Sequence, residues 1–178
     1  MSMVIDGSNG LTYPNSATNG GYINGGTAVA STSGTSIDFT GIPSWVKRIT
    51  VMFNGVSTNS TADYWVQVGS GSISTTGYAA VRGYINNASS ASSGNWTSTI
   101  IAVPIASSSA VMCGHVVLTL ISANTWIASS LIGDATANLS SMSMGKSPAL
   151  SGALDRVRIT TSTGTDTFDA GSINILYE

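Results

Sequence analysis

Few residues in this chain could do chemistry. His115 is its only histidine and stands in "VMCGHVVLTL", two positions after Cys113, its only cysteine. A thiol beside an imidazole can be a nucleophile with its base. Residues two apart on a strand also share one face simply as neighbours. The sequence leaves both readings open, and the structural one is taken forward. Cleavage of a glycan needs two carboxylates about 5–10 Å apart across the scissile bond. Glu178 is the sole glutamate, at the last position, and of the seven aspartates the candidates are Asp134, Asp155, Asp166 and Asp169. Asp155 sits in "LDRVR" beside Arg156 and Arg158, whose charge would lower its pKa and unfit it as an acid. Asp166 and Asp169, in "GTDTFDAG", read as turn residues bonding their own backbone. As a calcium pair they fall short of the six or more oxygens such a site takes. There is no Gly-x-Ser-x-Gly, His-Glu-x-x-His, Walker or Cys-x-x-Cys motif. The expectation is no catalytic residue, no metal and no cofactor.

Composition narrows the remaining classes. The 178 residues suit one domain with a full core, or one domain plus a short appendage. Charged residues make up 8% of the chain against 42% hydrophobic, where an ordinary soluble domain carries about a quarter charged. Serine, threonine, glycine and asparagine fill the gap, as polar uncharged residues on strand faces would. The net charge of −2 and scattered cations exclude a nucleic-acid footprint. No stretch approaches the ~20 apolar residues that span a bilayer, so no membrane insertion is expected. The start, "MSMVIDGSNGLTYPNS", has neither a basic end nor an apolar run, and reads as no secretory signal. Matches to the N-glycosylation pattern at Asn59, Asn87, Asn95 and Asn138 then carry no weight, and synthesis in a reducing cytosol is expected.

These residues must be positioned by strands. Residues 1–34 hold "NGGYINGGT", four glycines in nine positions, and read as a loosely structured Gly/Asn-rich arm or connector. From residue 35 the pattern changes. Ile49, Val51 and Phe53 alternate with Thr50 and Met52 at the period of a half-buried strand, and the Asn-Gly of "FNGVS" reads as a turn. Further strands are expected at "SIDFT", "DYWVQVG", "AAVRGYI", "STIIAVPI", "GHVVLTLIS", "TWIASSL", "NLSSMSM", "LDRVRITT" and "SINILYE". Pro104 places its strand at an edge or a bulge. Many short strands with turn signals between them predict an all-β, antiparallel, jelly-roll-like β-sandwich over 35–178. Its core should include Ile49, Val51, Phe53, Val116, Leu118, Leu120, Val157, Ile159, Ile173 and Ile175.

The blocks "GIPSWVKRITVMFNGVSTN", "LDRVRITT" and "GTDTFDAGSINILYE" resemble the carboxy-terminal domain of tailed-bacteriophage and prophage tail fibres. "SNGLTYPNSATN" resembles the segment that often links a fibre shaft to its tip. The resemblance spans both ends and several middle strands, and leaves out roughly 69–106. It implies a homotrimeric, β-rich, non-enzymatic fibre tip, made in the host bacterial cytoplasm and carried on the virion. Its partners would be the rest of the fibre and a host surface polysaccharide or lipopolysaccharide. A polysaccharide depolymerase and a purely structural trimerisation or capping module are the alternatives. So few charges also leave strand faces without the usual guard against self-association, and a closed three-fold ring of identical contacts would cover such a face.

Recognition without charge falls to aromatic faces and neutral hydrogen-bonding groups, which suit sugars. Trp45 and Trp126 read as structural, and one of Tyr64 and Trp65 must face the core. That leaves Tyr78, Tyr84, Asn86, Asn87, Asn95 and Trp96, in or beside one long polar segment, as candidate glycan contacts. Trp96 is the leading contact candidate. A capping role over the end of the core is equally open to it.

Overall fold

A computed structural model describes residues 4–6, 10–12, 23–86, 91–134, 136 and 138–178, with side chains from residue 23 onward except those of 91 and 92. The described residues form strands and no helix. Two short strands, β1 (Val4–Asp6) and β2 (Gly10–Thr12), pair only with each other. Next come β3 (Asn24–Gly25), β4 (Val29–Ala30), β5 (Ser36–Thr40), β6 (Arg48–Thr58) and β7 (Tyr64–Ser70). The middle of the chain supplies β8 (Ser72–Ile73), β9 (Ala79–Ile85), β10 (Ala91–Trp96) and β11 (Ile101–Val103). The last five are β12 (Met112–Ser122), β13 (Thr125–Asp134), β14 (Leu139–Lys146), β15 (Arg156–Thr161) and β16 (Phe168–Tyr177).

All pairings are antiparallel. The larger sheet runs β10-β9-β14-β13-β12-β6-β16, with β3 and β4 on the far edge of β16. The smaller runs β11-β7-β15-β5, with β8 on β7. Alternation along each strand sends one set of side chains between the sheets. Ile49, Val51 and Phe53 of β6, Val116 and Leu118 of β12, and Ile173 and Ile175 of β16 meet Val66 and Val68 of β7 and Val157 and Ile159 of β15 in one core. Of the core residues expected from periodicity, only Leu120 is half-buried, near the end of β12. Tyr64 is fully buried and Trp65 turns outward, while Trp126 lies in the core. Pro104 follows β11, an edge strand.

Two expectations change. Asn54-Gly55 is not a hairpin turn, because β6 continues through it to Thr58. Gly55 takes φ +65°, and the register to both β12 and β16 shifts there. An extra residue with a left-handed glycine is a bulge, which bends the strand instead of reversing it. Gly171 of β16 lies against this bulge, where a Cβ would stand 2.3 Å from the Gly55 carbonyl oxygen. Second, the polar segment from 78 to 96 is mostly a hairpin, since "ASSGNW" forms β10 against β9. Within the described part of residues 1–34, the stretch from 24 to 31 meets the larger sheet. Gly26 donates to the Ile175 carbonyl and Ser31 to that of Gly171, laying residues 24–31 along β16.

Candidate functional site

The β9–β10 hairpin divides the glycan-contact candidates between two faces. Trp96 is opposite Ala80 and points inward, half-buried, whereas Asn95 is opposite Val81 and exposed on the outer face. Gly94 is opposite Arg82, and its missing side chain makes room for the Trp96 ring, whose atoms lie 2.5–3.2 Å from where a Cβ would be. The ring thereby covers the Arg82 guanidinium at 4.4 Å, and Tyr84 lies 5.6 Å from the same group. Arg82 in turn pairs with Asp63 at 2.6 Å, tying the two sheets at this end. Cation–π stacking on a mostly covered guanidinium is worth up to about 2 kcal/mol. Trp96 and Tyr84 thus both pack on Arg82 at the β9–β10 edge of the larger sheet.

Tyr78 does not join them. It is buried, and its hydroxyl accepts from the Val68 amide at 3.0 Å while facing the Val68 and Ser74 carbonyls at 3.0 and 2.8 Å. Burial pushes its phenol up to about 12. Asn86 is half-buried after β9, and Asn87 lies outside the described residues. Among the described candidates, Tyr84 and Trp96 meet at Arg82, while Tyr78 and Asn95 lie apart from them.

The groups weighed for catalysis are also dispersed. Cys113 and His115 are both exposed on the outer face of β12, where Cys113 accepts a bond from the Gly55 amide at 3.3 Å. His115 stands between Leu131 and Met52 in register, with no carboxylate in that row. Asp134 is buried and accepts from the Val111 and Thr136 amides and the Thr136 hydroxyl. The Arg156 hydrogen bond holds the Asp155 carboxyl below the usual range, as expected from its neighbours, and Asp155 also accepts from the Gly71 amide. A bond from Thr163 lowers Asp166, and Asp169 accepts from Ser57. No three His, Cys, Asp or Glu residues gather among the described residues.

What sequence reasoning missed is the outer face of the larger sheet. Across β9, β14, β13 and β12 the registers align Val81–Met144–Ser129–Val117 in one row and Gly83–Met142–Leu131–His115 in the next. Ile85, Leu131, Met142 and Met144 are 53–59% exposed, and Val81 and Ile127 are each 41% exposed. Lys146 is the one charged side chain on these four outward faces. A depression of about 480 Å³ runs between Val81, Val117, Ile127 and Met144. Monomeric proteins rarely leave so broad an apolar patch open to water. The signal was present in "TWIASSLIG", where apolar residues fall on both strand faces, and in "SMSMG", whose methionines fall on the outward face.

Compared with protein-family models, with curated proteins and with solved structures, the chain matches none.

Proposed function

We propose that this chain is the host-contacting tip of a tailed-phage tail fibre, a non-enzymatic homotrimer of jelly-roll-like form that holds a bacterial surface glycan. The observation that carries the reading is the apolar outer face of β12, β13, β14 and β9. A strand face with one charge across four strands invites a copy of the same chain, and a three-fold ring closes such heterologous contacts without leaving an open end. The tail-fibre-like blocks support it from another side. They fall on β6, β15 and β16, with β6 and β16 paired towards one side of the larger sheet. The hairpin outside those blocks is a place where sequence can vary without disturbing that frame. Carboxylates already engaged in structural bonds favour holding a glycan over cutting it.

The test joins sedimentation of the purified chain with binding to a printed array of bacterial lipopolysaccharides and capsular polysaccharides. A trimer that binds polysaccharide and releases no reducing ends is expected. A monomer at micromolar concentration refutes the assembly. Reducing ends that vanish in Asp155→Asn or Asp166→Asn make it a depolymerase. A trimer blind to every polysaccharide makes it a structural cap, a reading favoured by the packed positions of Tyr78 and Trp96.

A further inference from the structure

The smaller sheet also has an outer face, and it differs from that of the larger. Register places Trp65 of β7, Thr160 of β15 and Ser36 of β5 in one row, with Gln67, Arg158 and Asp38 in the row beside it. The turn at 162–164 rises at one side, and Thr75 and Ser98 bound the other. Together they enclose a groove of about 330 Å³, at the small end of the roughly 300–1,000 Å³ of small-molecule sites.

The polar groups here are fixed by the fold and only partly used. Gln67 donates its amide N–H to the Ser98 carbonyl at 2.8 Å, which orients the group and leaves its oxygen with no donor among the described residues. Arg158 donates Nε and Nη2 to the two Asp38 oxygens at 2.7 Å each, so Nη1 keeps its N–H groups for something else. Thr160 donates to the Thr35 carbonyl at 2.9 Å and can still accept. The Asp38 pair cancels the arginine charge, and the half-buried indole of Trp65 supplies an apolar surface in the same groove. An aromatic face ringed by neutral donors and acceptors matches a pyranose, which presents an apolar C–H face and a rim of hydroxyls. An anion would find no uncancelled cation here.

We infer that this groove, centred on Trp65 with Gln67, Arg158 and Thr160, binds a neutral sugar unit of a surface polysaccharide. The inference rests on the adhesin reading above and gives it a site apart from the β9–β10 hairpin.

The experiment uses the full chain on the lipopolysaccharide and capsular polysaccharide array. Trp65→Ala should weaken binding about tenfold or more through loss of the stacking surface, with the assembly state unchanged. Ser162→Trp, on an exposed turn residue, should block the groove without touching the core, and decides the matter if Trp65→Ala fails to fold. High salt should leave wild-type binding intact, since no net charge is engaged. Wild-type binding that survives both substitutions overturns the groove and leaves the adhesin reading standing. Wild-type binding that high salt abolishes overturns the neutral ligand. A wild type that binds no polysaccharide overturns groove and adhesin together.

Discussion

Leu131→Arg puts a cation at the centre of the apolar outer face, and its effect can be sized from the structure. Val81, Ile85, Ile127, Leu131, Met142 and Met144 range from 41 to 59% exposed in the single chain. Full burial of such side chains is worth about 1.5–3 kcal/mol each, so covering the exposed halves of all six contributes about 5–9 kcal/mol per copy. Association itself costs roughly 4–15 kcal/mol in lost freedom. The balance is close enough for one residue to decide it. In register, position 131 lies between Met142 and His115, with no carboxylate to receive the guanidinium. An uncompensated buried charge costs about 3–5 kcal/mol, which weakens association by roughly 10²–10⁴-fold. The isolated subunit should be unharmed, because the arginine there stands in water. Sedimentation at micromolar concentration should therefore give a trimer for the wild type and a folded monomer for Leu131→Arg. A variant that stays fully assembled would refute the assignment of this face to self-association.

Ile175→Ala, on the buried face of β16, should cost about 2–5 kcal/mol and lower the melting temperature; an unchanged melt would contradict the packing of β16. Gly171→Ala adds a Cβ 2.3 Å from the Gly55 carbonyl oxygen at φ +88°. Its denaturation midpoint should fall well below that of Gly164→Ala, which carries a similar φ of +72° but meets nothing within 4 Å. Burial raises the phenols of Tyr64 and Tyr78 from 10.0 to about 12. The unfolded chain ionises first, so the stability these two contribute is complete below pH 10 and is lost as pH rises towards 12. In an ultraviolet titration of the native protein, Tyr78→Phe should remove a step near 12; loss of a step near 10 would place that phenol in water.

Much of the core was legible because burial on one face leaves a period of two. Ile49, Val51 and Phe53, or Val157 and Ile159, announce themselves without a structure. Asn54-Gly55 misled because the same left-handed glycine serves a tight turn and a bulge, and only the neighbouring strands decide between them. β10 was missed for a different reason. "ASSGNW" has no apolar alternation, and pairing with β9 makes it a strand. The hairpin aromatics looked alike in sequence, yet Tyr78 is buried while Tyr84 and Trp96 close over Arg82. The Trp65 groove was illegible in principle, since its groups come from three strands and a turn far apart in the chain. Only register brings Trp65, Thr160 and Ser36 side by side.

The order of pairing sets a timetable for folding. Asp38 of β5 and Arg158 of β15 are 120 positions apart, and β6 waits as long for β16. Contacts between such distant positions are slow to form. By contrast, β12, β13 and β14 follow one another as consecutive neighbours in the sheet and can pair as soon as they exist. A chain leaving the ribosome therefore holds β5, and the edge of β6 that awaits β16, with partners still unmade, while the middle of the larger sheet is already present with its outer face uncovered. Such a half-built sheet is the species most prone to stick to its own kind. In this molecule the apolar face that suits orderly assembly is also the first surface exposed to disorderly association, so yield on refolding should depend steeply on chain concentration.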